Sequence, residues 1–327
     1  MAASDDYRVS MGQRTVGGEG EFGLIAQITQ GLAMGPAVSV GPGDDGAVFL
    51  VNGSAVASID LLVEGSHFRR AWVPPRLLGR RSVAVAAADL EAMGADQVAV
   101  LVGLTLPPET ETDWVKDLAT GVRDECEKAG ASLIGGDITR GPNVTIAVTV
   151  IGELRGRQPV LRSGARPGDA VAVRGRLGWA AGGLAVLSRG FRSPRALVEA
   201  YQCPDVAYGA GPDAQRQGAT SLIDVSDGLL ADLGHIAEES GVRIDLDAER
   251  FEIAEPLQAL AAATGGKDPL MYVLTGGEDH ALAGTFPWGR VPPEWTVVGR
   301  VCDDEPGVLV DGEPYDGPAG WDHFARR

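Results

Sequence analysis

The chain has 327 residues, enough for two domains, and its 28 basic and 45 acidic residues give a formal net charge of −17 at pH 7. Such a charge repels nucleic acid and anionic membranes, so neither is an expected partner, and it suits divalent cations that help to bind an anionic nucleotide. The three cysteines form no CxxC pair, so no zinc or redox motif is predicted. With no secretory signal and no apolar run of about 18 residues, we expect a cytoplasmic protein.

Helices and strands alternate along the first half of the chain. Residues 1–18 are predicted to be a flexible tail. Hydrophobic spacing predicts helices at residues 21–32, 76–93 and 113–129, and short apolar runs predict strands at residues 55–59, 98–106 and 144–151. The second helix is rich in alanine, which allows close packing against a sheet.

The second half repeats this alternation after a break. Residues 152–169 carry glycine, arginine and two prolines, as a domain connection does. Beyond them we predict strands at residues 170–173, 221–225, 281–286 and 297–301, and helices at residues 179–187 and 229–239. Residues 189–218 are less regular. The predicted fold class is α/β (α+β), with an N-terminal domain at residues 19–152 and a C-terminal α/β domain at residues 153–327.

Three acidic motifs in the first half offer oxygen ligands for a hard cation such as Mg²⁺. Asp45 lies in a glycine-rich segment at residues 41–46, which an ordinary turn would also explain. Asp60 is predicted at the end of a strand, beside Ser58, and is otherwise a cap or a turn residue. Asp89 lies in an apolar helix, where burial is unfavourable unless the carboxylate is paired or metal-bound. His67, downstream of Asp60, is better explained on the residues alone as a surface imidazole.

A fourth motif, Gly-Gly-Asp-Ile-Thr-Arg-Gly at residues 135–141, is predicted to form a strand-to-loop junction. Gly136 would let backbone N–H groups approach a phosphate, and Asp137 would hold its metal ion. The chain contains no GxxxxGK[ST] motif. Arg140 and Arg162 are candidate phosphate contacts, although each is also explained as a solvated surface arginine.

Two further motifs lie in the second half. Asp224 and Asp227 flank Ser226 between a strand and a helix, where a metal site and a simple helix cap are both reasonable interpretations. A double glycine precedes Glu278, which would bind a metal ion or a ligand amine. His280 is interpreted as structural.

Nine motifs in order resemble the thiamine-monophosphate kinases, a family within the aminoimidazole ribonucleotide synthetase superfamily. They include Gly-Gly-Asp-Ile-Thr-Arg-Gly, Asp-Val-Ser-Asp-Gly and Gly-Gly-Glu-Asp, and they lie at residues 21–25, 43–45, 60–67, 89–95, 135–141, 162–169, 224–229, 233–235 and 276–279. The resemblance runs from about Gly20 to Phe324, and its agreement in order and spacing makes it specific.

The resemblance implies direct transfer of the ATP γ-phosphoryl group to thiamine monophosphate, giving ADP and thiamine diphosphate. It also implies several Mg²⁺ ions in a cleft between the domains and a homodimer formed through strands of the N-terminal domains. Carried onto this sequence, it implies metal contacts from Asp45, Ser58, Ile59, Asp60, Asp89, Asp137, Asp224 and Asp227, ATP contacts from Gly136, Asp137, Arg162 and Ser226, and substrate contacts from His67, Glu278 and Trp321.

Two positions depart from the family pattern. Ile59 stands where threonine is common, so only its backbone carbonyl oxygen would bind a metal ion. Trp321 stands where tyrosine is common, and either aromatic ring would stack on a cationic thiazolium.

No residue is predicted to act as a covalent nucleophile or a strong base, because the acceptor phosphate is already ionised near neutral pH.

Other functions predict sequence features that differ from those of this chain. A selenophosphate synthetase should carry a reactive cysteine near its N-terminus, and none precedes Cys126. A hydrogenase-maturation carbamoyl dehydratase should end in cysteine, and this chain ends in arginine. The motifs of His67 and Glu278 favour the thiamine enzyme over aminoimidazole ribonucleotide synthetase. A non-catalytic nucleotide sensor would have little need of so many acidic side chains.

Overall fold

Each half of the protein is built on its own β-sheet. The structure is a computed structural model that describes residues 14–43, 46–265 and 268–317. A four-stranded sheet lies in the N-terminal half and a six-stranded sheet in the C-terminal half. Helices pack on both sheets, so the predicted α/β class and its two-domain organisation are confirmed.

The N-terminal sheet has the strand order β3-β6-β4-β5, and a small β1-β2 hairpin lies beside it. Strands β4 and β5 are parallel and are joined through helix α4, whereas β6 runs antiparallel to both of its neighbours. The elements are α1 (Val16–Glu19), α2 (Glu21–Thr29), β1 (Val38–Val40), β2 (Val48–Phe49), β3 (Ala55–Val63), α3 (Pro75–Ala92), β4 (Asp96–Leu106), α4 (Thr112–Ala129), β5 (Ser132–Arg140) and β6 (Thr145–Glu153).

The C-terminal sheet has the strand order β12-β9-β11-β7-β10-β8 and is antiparallel except for the β12-β9 pair. Strand β8 therefore forms the edge that faces the N-terminal half. The elements are β7 (Ala170–Arg174), α5 (Trp179–Ser188), α6 (Arg195–Gln202), α7 (Ala210–Gln217), β8 (Ser221–Val225), α8 (Leu229–Ser240), β9 (Arg243–Leu246), α9 (Glu255–Ala263), α10 (Leu270–Thr275), β10 (Ala281–Phe286), β11 (Thr296–Cys302) and β12 (Gly307–Val310).

The first described residues are docked on the N-terminal domain, in contrast to the tail predicted for residues 1–18. The Val16 N–H donates to Thr110 O at 2.9 Å, and the Thr112 N–H donates to Arg14 O at 2.8 Å. These bonds satisfy backbone groups of both segments, which is why the chain stays in place there. Residues 1–13 lie outside the described part, so the prediction for them is untested.

Helix α3 is the central element of the molecule. It starts with proline in its first turn, where no N–H is needed, and its alanine-rich sequence is buried almost throughout. One side packs on the N-terminal sheet and α4, and another side reaches β8 and α7 of the C-terminal half. A side chain at Gly79 would place Cβ 2.0 Å from the carbonyl oxygen of Leu118, so glycine is required for this approach of α3 to α4.

A polar seam holds the segment from Tyr201 to Gly211 against α3 and α4. The buried Glu91 carboxylate on α3 accepts the Gly211 N–H at 3.0 Å. On α4, the buried Glu125 carboxylate accepts the Tyr208 hydroxyl at 3.0 Å. Each buried acid therefore has a partner from the other domain, and the pairing fixes how the two halves meet. Within the described part of the chain, no helix is long and apolar enough to span a bilayer.

Candidate functional site

A cleft of about 540 Å³ lies where the two domains face each other. Strand β3 and helix α3 form its N-terminal wall, and β8 with the segment before β7 forms its C-terminal wall. Four of the predicted site residues line this cleft, namely Ser58, Asp89, Arg162 and Asp224. The cleft therefore brings together side chains that are widely separated in the sequence.

Strand β3 supplies Ser58 and Asp60 to this region through its period-two alternation. Ser58 and Asp60 are half-buried, whereas Ile59 between them is 59% exposed on the opposite face of the strand. The Ser58 hydroxyl donates to Asp89 Oδ2 at 2.5 Å, which links the strand to α3. Asp60 lies inside the strand rather than at its end, because the apolar residues that follow it continue the pairing with β6.

The C-terminal domain contributes Asp224, a buried residue near the end of β8. Its Oδ2 lies 3.0 Å from Nδ1 of His280, which is also buried. Burial alone would lower the pKa of His280, but the bond to Asp224 and the charges of Asp224, Glu278 and Asp60 raise this pKa to about 9. His280 thus forms a buried pair with Asp224, a role more specific than the structural one predicted for it.

The loop after β8 is held by an acid that the motifs did not reveal. Asp232, a buried residue in the first turn of α8, accepts the N–H groups of Asp227 and Gly228, each at 3.1 Å. The two N–H groups before α8 thus bind an acceptor from inside the helix, whereas the sequence left open a cap supplied by Ser226 or Asp227. Ser226 and Asp227 remain half-buried at the C-terminal end of β8.

Glu278 is held by a buried arginine from the other domain. Arg81 on α3 is 1% exposed, and its Nη2 lies 2.6 Å from Glu278 Oε2. Burial would raise the pKa of Glu278, but Arg81 and, to a smaller extent, His280 and His67 hold it below its ordinary value. His67 is half-buried, and its Nδ1 accepts the Val63 N–H at 2.9 Å. Glu278 and His67 thus lie on the same side of the site.

The carboxylates of the site repel one another. Burial, the Asp224 charge and the Asp60 charge raise the pKa of Asp89 to about 7, even though the Ser58 hydrogen bond lowers it. Burial also raises the pKa of Asp60, against the lowering effect of His280 and with a further rise from Asp224 and Glu278. A cation placed among these groups would relieve the repulsion, so the donor set fits a hard cation.

The described residues contain no group of three His, Cys, Asp or Glu side chains that would hold a metal ion by themselves. Mg²⁺ is commonly bound by one or two carboxylates together with substrate phosphates and water. Asp60, Asp89, Asp224 and the Ser58 hydroxyl are the oxygen donors that the fold brings into one region.

Gly136 and Asp137 do not join this group within one chain. The residues lie in the middle of β5 rather than at a strand-to-loop junction, and both are exposed. Strand register places Asp60 opposite Val148, Val148 opposite Val102, and Val102 opposite Gly136. Three strand spacings correspond to about 14 Å. Asp60 and Asp137 of one chain are therefore too far apart to share one Mg²⁺ ion.

The remaining predicted site residues lie on β5 or outside the described part of the chain. A Cβ at Gly136 would lie 2.0 Å from the Val102 carbonyl oxygen. The close approach of β5 to β4 therefore explains this glycine without a phosphate contact. Arg140 is exposed at the end of β5. Asp45 and Trp321 lie outside the described residues, so the predictions for them are untested.

Asp279, next to Glu278, fixes the start of α5. Its carboxylate accepts the Gly178 N–H at 2.5 Å and the Ala180 N–H at 2.8 Å, and the side chain is buried. These bonds satisfy two N–H groups that a helix start leaves without intrahelical partners. They also anchor the turn that carries Glu278 and His280.

We expect Asp279→Ala to lower the free energy of unfolding by about 2 kcal/mol, because two buried N–H groups lose their acceptor. Urea unfolding followed by circular dichroism measures the change. The control is Asp247→Ala, which removes an exposed cap of Glu249 N and should lower this free energy by about 1 kcal/mol or less. Equal effects of the two substitutions would argue against the anchoring role of Asp279.

Comparison with known proteins gives a consistent result. Residues 43–154 match the N-terminal domain of the AIR synthase related proteins, and residues 166–312 match the C-terminal domain of that family. A thiamine-monophosphate kinase of Mycobacterium tuberculosis is 44% identical over 320 residues, which are 98% of this chain and 96% of that relative.

Two solved structures of similar proteins share the fold. One is thiamine-monophosphate kinase from Stenotrophomonas maltophilia K279a, with a TM-score of 0.77, 32% identity, and coverage of 89% of this chain and 95% of that chain. The other, AaThiL complexed with AMPPCP and TMP, has a TM-score of 0.77, 34% identity, and coverage of 96% of this chain and 100% of that chain. With its two matching domains and these full-length similarities, the chain belongs to the thiamine-monophosphate kinase family of the AIR synthase related proteins.

Proposed function

We propose that this protein transfers the γ-phosphoryl group of ATP to the phosphate of thiamine monophosphate, giving ADP and thiamine diphosphate in thiamine diphosphate biosynthesis. The observation that carries the proposal is the cluster of Ser58, Asp60, Asp89 and Asp224 between the domains, in a chain 44% identical to a thiamine-monophosphate kinase. An ATP-dependent kinase of this family needs a site that holds two phosphorylated substrates against each other.

Mg²⁺ is the proposed metal. Asp60, Asp89 and Asp224 would supply carboxylate oxygens and Ser58 a hydroxyl oxygen, which are ligands that Mg²⁺ prefers. Asp227 and the backbone carbonyl of Ile59 remain proposed ligands in the same region, and Asp137 is proposed for an ion on the β5 side of the sheet. Asp45 also remains a proposed metal ligand. Bound Mg²⁺ would screen the negative charge of the phosphates and of the transferred group.

Different residues are proposed to bind the two substrates. On the ATP side we propose Arg162, Ser226, Gly136 and Asp137. Arg162 lines the interdomain cleft, where its guanidinium would offset phosphate charge. On the thiamine side we propose His67, Glu278 and Trp321. Glu278 is ionised and 40% exposed, so it would attract the cationic thiazolium or accept a hydrogen bond from the aminopyrimidine.

The chemistry requires positioning more than proton transfer. The acceptor phosphate is ionised near neutral pH, so its oxygen attacks the γ-phosphorus directly while the bond to the β-phosphate oxygen breaks. No covalent intermediate on the protein is needed. The protein lowers the barrier by aligning the two phosphates and by holding fixed charges around them.

We also propose a homodimer in the cytoplasm. Ile59 is 59% exposed and Leu61 is 53% exposed on β3, which is an edge strand of its sheet. Apolar side chains on an exposed edge strand favour pairing with another chain. Sedimentation velocity should therefore find a dimer that Leu61→Lys weakens.

ADP release with Mg²⁺ and a panel of acceptors tests the proposed function. We expect turnover with thiamine monophosphate and none with formylglycinamidine ribonucleotide. Addition of EDTA should abolish this turnover, and excess Mg²⁺ should restore it, because the metal carries much of the charge stabilisation.

A folded protein that releases no ADP with thiamine monophosphate would refute the proposal. ATP binding without ADP release for any acceptor would instead favour the nucleotide sensor. Activity that is unchanged in EDTA would remove Mg²⁺ from the mechanism while leaving the substrate assignment intact.

A further inference from the structure

The guanidinium of Arg81 is a buried charge that the proposed chemistry does not use. Its side chain is 1% exposed, and an isolated charge at such a position would be strongly unfavourable. Three acceptors satisfy it, from three segments of the chain: Tyr201 O at 2.9 Å, His67 O at 3.3 Å and Glu278 Oε2 at 2.6 Å. The Tyr201 ring also lies 4.8 Å from Cζ of the guanidinium.

Two of these three partners are the residues proposed to bind thiamine monophosphate. His67 belongs to the N-terminal domain and Glu278 to the C-terminal domain, so no local structure fixes the distance between them. Arg81 contacts both through the same nitrogen, Nη2. It also bonds through Nη1 to the end of α6, which holds the guanidinium plane in one orientation.

The backbone of Glu278 makes this support necessary. Its φ angle is +71°, a conformation that residues other than glycine adopt rarely. The Glu278 N–H bonds to Ser226 O at 2.8 Å, and Gly277 has no room for a side chain, since Cβ would lie 2.4 Å from that oxygen. The turn is thus pressed against the loop after β8, and the carboxylate leaves it toward α3, where Arg81 binds one oxygen.

We propose that Arg81 is a positioning residue for the thiamine side of the site. It holds the Glu278 carboxylate and the His67 main chain at a fixed separation across the domain boundary. This inference rests on the proposed function. Arg81 is not among the residues proposed to contact the reacting phosphates. Removal of its side chain should therefore weaken the binding of thiamine monophosphate and leave the binding of ATP largely intact.

The test compares Arg81→Met, Arg81→Lys and Glu278→Gln by steady-state kinetics with each substrate varied in turn. We expect Arg81→Met to raise KM for thiamine monophosphate at least ~10-fold, with KM for ATP changed less than ~3-fold, because a charge-assisted bond is lost. Arg81→Lys should recover part of this loss, since it restores the charge but not the planar fork. The double variant with Glu278→Gln should be no worse than the worse single variant.

The control is Arg76→Met, which removes an arginine from the same helix that is paired with Asp124 at the surface. It should leave both KM values unchanged. If Arg81→Met does not fold, as judged by circular dichroism, Arg81→Lys decides with the same split between the two KM values. An equal rise of both KM values, or fully additive effects with Glu278→Gln, would overturn the positioning role. A wild-type protein that does not phosphorylate thiamine monophosphate would overturn the proposed function and this inference with it.

Discussion

Asp60→Asn is expected to lower kcat for ADP release with thiamine monophosphate by more than ~100-fold, or about 2.7 kcal/mol in the activation barrier. Asp60 is half-buried among charged groups. The charges of His280, Asp224, Glu278 and His67 act on it, and its own charge acts on Asp89. An amide in its place would keep the size of the side chain and remove its negative charge, so the affinity for a divalent cation would fall at the centre of the site.

The measurement is a coupled assay of ADP release across a range of Mg²⁺ concentrations. The matched control is Asp113→Asn on α4, because the Asp113 side chain is 91% exposed and forms only a surface pair with Lys116. This control should keep the wild-type rate. A near-normal kcat for Asp60→Asn at every Mg²⁺ concentration would remove Asp60 from the proposed metal ligands.

The alternation of helices and strands could be predicted because each element carries its own hydrophobic period. Strands β8 (Ser221–Val225) and β10 (Ala281–Phe286) have the predicted bounds, since turns interrupt the apolar pattern at both ends. The short strands β9 and β12 were not predicted. Each has only four residues, and both are defined by pairing with neighbouring strands of the sheet rather than by a local pattern.

Asp60 was predicted at the end of a strand and Asp137 at a strand-to-loop junction, and both predictions were wrong because the two residues lie within strands. Asp89 lies within α3, in the predicted helix, and Asp224 lies within β8, in the predicted strand. A carboxylate or a glycine pair was interpreted as the end of a strand. In the folded protein the neighbouring strands supply the missing hydrogen bonds, so pairing continues through Asp60 and through Gly135 and Gly136.

Sequence order also carries no information about strand order. The motifs of Asp60 and Asp137 look equivalent along the chain, yet β3 and β5 are opposite edges of one sheet. Arg81 was missed for a related reason. In the sequence it follows Arg80 and resembles an ordinary surface arginine, and only the approach of Tyr201 and Glu278 from the other domain buries it.

Gly211→Ala is expected to have a large effect although Gly211 lies outside the site. A Cβ at Gly211 would lie 1.8 Å from the Glu91 carbonyl oxygen. This oxygen belongs to the backbone of α3, so it can move away only if the helix moves. The seam between the domains would have to open. We expect the free energy of unfolding to fall by about 3 kcal/mol, which is at the upper end of the destabilisation that overpacking commonly causes. Because Asp89 is two residues from Glu91 on α3, kcat should also fall at least ~10-fold.

Gly234→Ala provides the matched comparison. Gly234 lies inside α8, and a Cβ there would meet nothing within 4 Å, so alanine should leave stability unchanged or raise it by up to about 1 kcal/mol. Urea unfolding and kcat would be measured for both variants. If Gly211→Ala behaved as Gly234→Ala does, the packing of α7 on α3 would be too soft to align the two halves of the cleft. A loss of activity together with stability would support a role of the seam from Tyr201 to Gly211 in aligning Asp224 and Glu278 with Asp60 and Asp89.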